Sequence, residues 1–303
     1  VMQENVLKLC RCRQIPIQKD KLLLKSMDKS LVLTADHIHE IAEKVLPHLN
    51  GTCTTQELFD KLPADMWEGA EKMLRLMERE GFFQNTEEEM QTNLAQASIL
   101  LIGSGRLAEK ISTNLLESGV KNSTTLDSYL SYTYEEMCKQ LQHIDMAVVC
   151  TDTPRPDICT LINKAALATE CPWLLVQTDG RDGWVGPLFL PKETGCYSCF
   201  MQRVFSDSFH PEIDRAVHEH AMKDPAQNLL GFLPPFQDMT AATASLEIIR
   251  HLTGISAPLT YKAQILTDCI TGISRRDVLH RIPRCPDCSA IGEEVSCIQA
   301  FAG

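Results

Sequence analysis

Two short cysteine pairs, Cys196–Cys199 and Cys285–Cys288, constrain the possible folds of this chain more than any other feature. A Cys-x-x-Cys spacing brings two thiolates onto one tight turn, and four thiolates in tetrahedral geometry select zinc or an iron–sulfur centre. Because residues 200–284 separate the pairs, the fold must bring them together. A closed four-cysteine site leaves no open position for a substrate, so we expect a structural Zn2+.

The sequence leaves two other interpretations of these cysteines. They could be unrelated reduced pairs, or one could be a redox Cys-x-x-Cys motif. The redox interpretation is less favoured because the sequence places neither pair at the start of a helix that follows a strand.

The composition is that of an ordinary soluble globular protein. Of the 303 residues, 44% are hydrophobic and 23% are charged, and the length suffices for two domains. No apolar run is long enough to span a membrane, and the first residues lack the features of a signal peptide. Thirteen cysteines without such a signal favour reduced thiols and a cytoplasmic location. The net charge of −11 argues against nucleic-acid partners, and nothing indicates a membrane partner.

The first part of the chain, residues 1–90, predicts a small α+β module of winged-helix type. Three β-prone runs, 13–18, 21–25 and 30–34, are separated by polar turns and predict a meander. Helical patterns then begin near Asp36, Thr54 and Asp65. The third of these mixes acidic with basic residues, so it lacks the cationic face that DNA binding needs.

The run from Ser30 to Thr34 is the candidate edge strand of this module. An exposed edge beside a helix can bind an extended peptide by strand addition, in which backbone hydrogen bonds supply the affinity. The alternative is a subdomain that merely caps the larger part of the chain.

Residues 91–303 predict a second domain with a Rossmann-type sheet, joined to the first by a polar linker at 86–96. An apolar strand at 98–102 enters Gly103-Ser104-Gly105, then a helix, and then a strand that ends near Asp127. That order is the context that a nucleotide-binding fingerprint requires. Further strands are predicted at 146–150, 173–177 and 184–190, a buried helix at 238–252, and an antiparallel pair at 259–266 and 270–276.

The larger part of the chain resembles the ThiF-like fold shared with ubiquitin-activating enzymes. The resemblance rests on Gly103-x-Gly105, on Thr151-Asp152, and on the segments around the two cysteine pairs, 186–199 and 283–288. It implies that the four cysteines hold zinc.

The first module, with strands around Leu22 and Val32 followed by segments 46–52 and 54–58, resembles the leader-peptide recognition domain of ribosomal-peptide maturation systems. The combination is similar to the scaffold component of azoline-forming cyclodehydratases, in pathways that make thiazole- and oxazole-modified peptides.

This resemblance implies a non-catalytic scaffold. The chain would bind the leader of a ribosomal precursor peptide and present its core to a separate, ATP-dependent YcaO-type cyclodehydratase, as a homodimer or a hetero-oligomer. The residues expected at the leader site are Ser30, Leu31, Val32, Leu33, Thr34, Trp67 and Leu74.

Departures from the adenylating pattern predict that the nucleotide site is vestigial and that this chain does not use ATP. Only about 25 residues separate the expected ribose-binding Asp127 from the expected metal-binding Asp152, and Lys139 is the sole cation between them. The triphosphate would therefore lack its usual cationic partners, although Arg106 and Lys110 lie near the glycine turn. The vestigial site comprises Gly103, Gly105, Arg106, Asp127 and Asp152.

The main alternative is an active ThiF-like adenylyltransferase that activates a peptide or carrier carboxylate with Mg-ATP. Asp152 would hold magnesium, Arg106 or Lys110 would bind phosphate, and Cys159 or Cys171 would accept the acyl group. Both cysteines are also interpretable as ordinary buried residues, since no histidine lies near them in the sequence. A nicotinamide-dependent oxidoreductase is a third hypothesis, supported by the glycine turn alone.

An apolar stretch at 224–237 predicts a long loop that either covers the core or docks a partner subunit, with Phe232 and Phe236 as its aromatic residues.

Overall fold

The computed structural model describes residues 6–26, 29–83, 86–127, 131–224 and 233–289. The chain divides into two compact units, Val1–Gln91 and Thr92–Gly303. Among the described residues, no helix is both long and apolar enough to cross a bilayer.

The first unit combines two small antiparallel sheets with helices. A three-stranded meander has the order β2-β3-β4, and β1 pairs with β5 in a separate ribbon. The strands are β1 Val6–Lys8, β2 Arg13–Gln18, β3 Lys21–Lys25, β4 Ser30–Thr34 and β5 Asn50–Thr54. The helices are α1 Ile38–Val45, α2 Thr55–Asp60 and α3 Trp67–Arg79, with 3-10 turns at Leu46–His48 and Ala64–Met66, and α4 Thr86–Gln96 continues from this unit into the second.

Alternation of apolar and polar residues builds the core of this unit. Leu22 and Leu24 of β3, and Leu31 and Leu33 of β4, point to one side of the sheet and are buried in a single cluster. The same cluster includes the buried stripe of α3, which is Ala70, Met73, Leu74 and Met77. The three predicted strands of the meander are confirmed, and burial of one face fixes their register.

Helix starts in this unit differ from the prediction at one place. Thr54 begins α2 as expected, because its hydroxyl accepts from the Glu57 N–H while the Glu57 carboxylate accepts from the Thr54 N–H. Asp36 does not cap α1; that position belongs to His37, which has a left-handed backbone and no side-chain cap. The ribbon formed by β1 and β5 was not predicted.

The predicted linker at 86–96 is helical, since this segment forms α4, and the boundary between the two units falls within it. Its Glu and Gln residues are good helix formers. The sequence analysis did not predict a helix here because the segment lacks an apolar stripe.

The second unit contains a seven-stranded sheet of order β12-β11-β10-β9-β8-β6-β7. Its parallel part joins β7, β6, β8 and β9, and its antiparallel part continues through β10, β11 and β12. The strands are β6 Ser98–Ile102, β7 Asn122–Leu126, β8 Met146–Thr151, β9 Trp173–Asp179, β10 Asp182–Phe189, β11 Ala263–Asp268 and β12 Ile273–Val278. The helices are α5 Arg106–Glu117, α6 Tyr134–Leu141, α7 Pro156–Thr169, α8 Tyr197–Asp207, α9 Pro211–Lys223 and α10 Pro234–Thr253.

Apolar strands bury the centre of this sheet. Every residue of β8 is buried, as expected for a strand covered on both faces. Leu100, Ile102, Ala147 and Val149 share a core with residues of α6, α7 and α8, whereas α5 packs against α10, which also contacts β9 and β10. The predicted Rossmann-type order and the antiparallel extension are thus present.

The predicted loop at 224–237 is wrong at its C-terminal end, where the structure describes residues 233–237. Pro234 to Gln237 form the first turn of α10, and Phe236 is half-buried there. Proline is favoured at the start of a helix because an N–H at that position would have no acceptor within the helix, so its absence costs nothing. Phe232 lies outside the described residues.

The alternation in β4 predicts unequal effects of truncation at neighbouring positions. Leu33→Ala is expected to destabilise the first unit by about 2–5 kcal/mol, because it removes a buried side chain and leaves a cavity. Val32→Ala, on the exposed face, is expected to cost less than about 1 kcal/mol. Native-state hydrogen exchange of β3 amides measures both, and equal costs would contradict the assigned register.

Candidate functional site

The four cysteines of the two Cys-x-x-Cys pairs converge in the second unit. Their Sγ atoms all lie within 4.8 Å of one another. Cys196 and Cys285 have their sulfurs 3.5 Å apart, as do Cys199 and Cys288. A disulfide would need about 2.05 Å, whereas sulfurs bound to one tetrahedral metal at 2.3 Å lie about 3.8 Å apart. The cluster therefore fits a metal ion and not a disulfide, as the spacing predicted.

The local backbone presents these sulfurs inward. Cys196 occupies the N-cap of α8, and Cys199 lies in its first turn. The N–H of Ile282 donates to Cys199 Sγ over 3.4 Å. This bond joins the backbone just before the second Cys-x-x-Cys pair to a sulfur of the first pair. One sequence argument is wrong here, because the first pair does open a helix. The convergence of four sulfurs, which a dithiol redox motif lacks, now separates the two interpretations.

A buried side-chain amide links the two Cys-x-x-Cys segments. Asn163 of α7 is 1% exposed, and its Oδ1 accepts from the Tyr197 N–H over 2.9 Å. Its Nδ2 donates to Asp287 Oδ2 over 3.1 Å, and the same carboxylate accepts from the Ser198 hydroxyl. Such partners behind the ligands orient a metal site. The sequence analysis missed Asn163, because nothing in the pattern of an ordinary helix marks it.

One cysteine of the cluster, Cys199, favours the thiolate form that a metal ligand must have. Hydrogen bonding by the Cys196 thiol, with a smaller contribution from the Ile282 N–H, lowers the pKa of Cys199. The same contact raises the pKa of Cys196. A bound cation would extend this preference to all four sulfurs.

The glycine turn after β6 has the close approaches that explain its glycines. A Cβ on Gly103 would overlap the carbonyl oxygen of Cys150, and one on Gly105 would overlap the carboxylate of Asp152. Gly105 also has φ +92°, which disfavours other residues. The turn is therefore built to bring the end of β8 against the start of α5.

Asp152 occupies the start of α5. One oxygen of its carboxylate accepts from the Arg106 N–H and the other from the Leu107 N–H, each over 3.0 Å. The N-terminus of a helix is a natural anion site, where a nucleotide phosphate would bind in a Rossmann fold. Here a carboxylate of the chain itself fills that site.

The nearest cation is also engaged within the chain. The Arg106 guanidinium donates two hydrogen bonds to Asp238 of α10, at 2.9 and 2.7 Å. This pairing raises the pKa of Arg106 and lowers the pKa of Asp238. The structure thus brings Gly103, Gly105, Arg106 and Asp152 together, and adds Asp238, which lies 132 residues from its partner and was not predicted.

The remaining nucleotide candidates lie on three elements, and Asp127 is at the same edge of the sheet as the glycine turn, because β7 runs parallel to β6 and the Gly103 N–H donates to Leu126 O over 2.9 Å. Asp127 follows β7, Lys110 lies one turn inside α5, and Lys139 lies in the last turn of α6, where it is exposed. The two candidate nucleophiles are buried thiols. Burial raises the pKa of Cys159 and raises that of Cys171 to about 11, so both are uncharged at neutral pH and poorly suited to nucleophilic attack.

In the first unit, the hydrogen bonds at the two ends of the β3–β4 hairpin fix which backbone groups face outward. The Ser26 N–H donates to Lys29 O at the turn, and the Ala35 N–H donates to Asp20 O at the open end. Hydrogen-bonded and non-hydrogen-bonded pairs alternate along an antiparallel ladder. Every second residue of β4 therefore turns its N–H and C=O away from β3.

Those outward residues are Ser30, Val32 and Thr34, because Leu31 and Leu33 occupy the hydrogen-bonded positions. Among the described residues, β4 has no strand on its outer side. The side chains of the same three residues are exposed, and Val32 is 47% accessible. At these three residues, both the outward backbone groups and the side chains are therefore available to a binding partner.

The other residues expected at the leader site differ in accessibility. Trp67 is 45% exposed, donates from Nε1 to Leu62 O over 3.0 Å, and meets the Phe59 ring edge-on at 6.0 Å. Leu74, Leu31 and Leu33 are buried in the core of the unit, so they support the strand and helix from within.

The cysteine cluster predicts a defined metal stoichiometry. We expect wild-type protein to retain one Zn2+ per chain, and Cys285→Ser to retain little, because three sulfurs no longer close the site. Cys171→Ser is the matched control, since that thiol is buried outside the cluster. Metal analysis of the purified variants measures this, and full metal content in Cys285→Ser would contradict it.

Comparison with solved structures shows the fold. A heterocyclase, TruD, superposes with a TM-score of 0.67 at 20% identity, over 94% of this chain and 43% of that chain. A heterocyclase in complex with substrate and cofactor gives 0.66 at 20% identity, over 94% and 40%. This chain therefore spans less than half the length of these two chains. The microcin C7 biosynthetic enzyme MccB, in complex with N-formylated MccA, gives 0.63 at 16% identity, over 93% and 99%.

The E. coli MccB structure with ATP superposes with a TM-score of 0.60 at 14% identity, over 93% of this chain and 98% of that one. No curated protein matches the sequence. The model of the ThiF family matches residues 124–290, more than half of the chain, including β8 and both cysteine pairs. The chain therefore belongs to the ThiF family.

Proposed function

We propose that this chain is a non-catalytic scaffold for azoline formation. It binds the leader of a ribosomal precursor peptide as a strand added to β4. It presents the core peptide to a separate YcaO-type cyclodehydratase, which uses ATP to activate a backbone amide so that a Cys, Ser or Thr side chain closes a ring. The scaffold contributes a raised local concentration of the core peptide and takes no part in the chemistry.

The observation that carries this proposal is the occupied start of α5. Asp152 accepts from the two N–H groups that a phosphate would use, and Arg106 is held by Asp238. A triphosphate would have to displace one carboxylate, break an ion pair held by another, and remain close to both negative charges. We therefore treat the nucleotide site as vestigial.

The open edge of β4 supports peptide capture. Ser30, Val32 and Thr34 can each offer an N–H and a C=O to an added strand, and their side chains lie on the accessible face. This is the pattern of recognition by strand addition, in which the backbone supplies affinity. Trp67 offers exposed aromatic surface on α3 for side-chain contacts.

The solved relatives support the same pathway class. One is a heterocyclase bound to substrate and cofactor, and this chain covers 40% of it. We propose that the activity of the uncovered part of such a heterocyclase is supplied to this chain by the YcaO-type partner. The proposed assembly is a homodimer or a hetero-oligomer in the cytoplasm, with the cysteine cluster holding a structural Zn2+.

A second candidate is an active ThiF-like adenylyltransferase that activates a peptide or carrier carboxylate with Mg-ATP. The observation that favours it is the match to nearly the whole of MccB, including a structure with ATP. This function needs Asp152 to leave the start of α5 and bind magnesium, and Arg106 to leave Asp238.

The proposed strand addition predicts a backbone-specific effect at Val32. Val32→Pro removes an N–H that faces outward, so the β3–β4 ladder keeps its bonds while an added strand loses one. A net hydrogen bond contributes about 0.5–1.5 kcal/mol, so we expect peptide affinity to fall about two- to tenfold. Fluorescence polarisation with a peptide selected on wild-type protein from a displayed library measures this.

Val32→Thr is the matched control, because it keeps a β-branched side chain and the N–H, and it should bind like wild type. Equal affinity of Val32→Pro and wild type, with β3 amides still protected in both, would contradict capture at this edge.

A further inference from the structure

The outer face of the β2–β3–β4 meander carries a cationic surface. Leu22 and Leu24 of β3 point into the core of the first unit, so the alternate residues of that strand lie on the opposite face of the sheet. Residues 13–34 include five cations and two acids, a net charge of +3 in a chain whose net charge is −11. The meander therefore has the opposite charge to the protein as a whole.

The register of the meander arranges the side chains of this outer face in three rows across the strands. Directly opposite residues of neighbouring strands share a face. The middle row is apolar, and a row that contains a lysine lies on each side of it. From β2 to β4 the rows are Arg13–Lys25–Ser30, Ile15–Leu23–Val32 and Gln18–Lys21–Thr34. An apolar stripe flanked by cations therefore crosses the sheet.

The cations of the two flanking rows are not neutralised within the part of the chain that the structure describes. Arg13, Lys21 and Lys25 form no salt bridge with any described residue. Arg13 lies directly opposite Lys25, and like charges in a cross-strand pair are destabilising. A ligand that supplies carboxylates would offset this repulsion, so the surface favours an acidic partner.

The three rows can be extended at β4 but not at β2. Leu23 and Lys25 turn their backbone groups toward β2, so Pro16, between their partners, turns its own backbone outward. Proline has no N–H to offer to a further strand, so it blunts this edge of the sheet. A strand added to the open edge of β4 extends each row by one residue.

Extension of the rows assigns the side chains of the added strand. Its residue opposite Val32 lies on the outer face beside the apolar row, and its residues two positions before and after lie beside Ser30 and Thr34. Neighbouring strands are about 4.8 Å apart, so the added strand lies about 9.6 Å from β3. The intervening side chains are small, so Lys25 and Lys21 can each cross them to reach a carboxylate on the added strand.

We infer that the segment bound at β4 has the pattern acid-x-apolar-x-acid, with its apolar residue opposite Val32 and its two acids reaching Lys25 and Lys21. The inference rests on the strand addition proposed above, and it names the class of leader that the chain binds, an acidic segment with a central apolar residue. Both flanking rows carry a lysine, so the pattern is the same for a segment that runs parallel or antiparallel to β4.

The test selects peptides on the full chain from a random displayed library. We expect the binders whose affinity falls in Val32→Pro to share the pattern acid-x-apolar-x-acid. Selection on the double variant Lys21→Glu with Lys25→Glu should replace both acids by Lys or Arg, because the flanking rows are then anionic. Lys25→Glu alone, at an exposed position, should replace only one of the two acids.

Fluorescence polarisation gives the size of the effect. A peptide selected on wild-type protein should bind the double variant about threefold more weakly or worse, because two favourable exposed ion pairs become repulsive. The matched control is Lys44→Glu with Lys121→Glu, which makes the same change of net charge at two exposed lysines outside the meander. This control should keep both the selected pattern and the affinity.

Two results would overturn the inference and leave strand addition standing. One is a set of binders that depend on the Val32 N–H but show no preference for acids at these two positions. The other is an equal loss of affinity in the control variant, which would indicate attraction by net charge alone. If no selected peptide depends on the Val32 N–H, the strand-addition proposal fails, and this inference fails with it.

Discussion

The carboxylate of Asp152 at the head of α5 is the interaction around which the second unit is arranged. It joins the end of β8 to the first two N–H groups of α5, and the glycine at 105 is needed because this carboxylate lies where a Cβ would be. The same contact fills the anion site that defines a nucleotide-binding Rossmann fold. A fold usually associated with ATP is thus completed by a residue of the chain itself. The bond from Arg106 to Asp238 removes the nearest cation from the same place.

The cysteine cluster imposes a second constraint on the same unit. Two Cys-x-x-Cys segments from distant parts of the sequence bring their four sulfurs together. Asn163 contacts both segments, through the Tyr197 N–H and the Asp287 carboxylate. Because loop closure over a long segment is costly in entropy, a metal bound here would stabilise the folded state mainly by holding those ends together. The four cysteines leave no ligand position for a substrate, so a metal bound here would contribute to the fold.

Much of this arrangement was predictable from local pattern. The alternation in Ser30–Thr34, the apolar runs of the central sheet and the cysteine spacing each predicted the observed element or cluster. What failed had no local signal. The strand Asn50–Thr54 has the composition of a turn and pairs with a three-residue partner, and α4 has no apolar stripe. The role of Asp238 depends on a partner 132 residues away.

The most direct measurement is a calorimetric titration of Mg-ATP into the zinc-loaded chain, because the account depends on the start of α5 being occupied from within. It predicts no binding heat up to millimolar nucleotide, both for wild type and for Asp152→Ala, since removing the carboxylate supplies no cation for the triphosphate. Micromolar binding by wild type that disappears in Asp152→Ala would show that this carboxylate serves a nucleotide, and would contradict the scaffold account in favour of an adenylating enzyme.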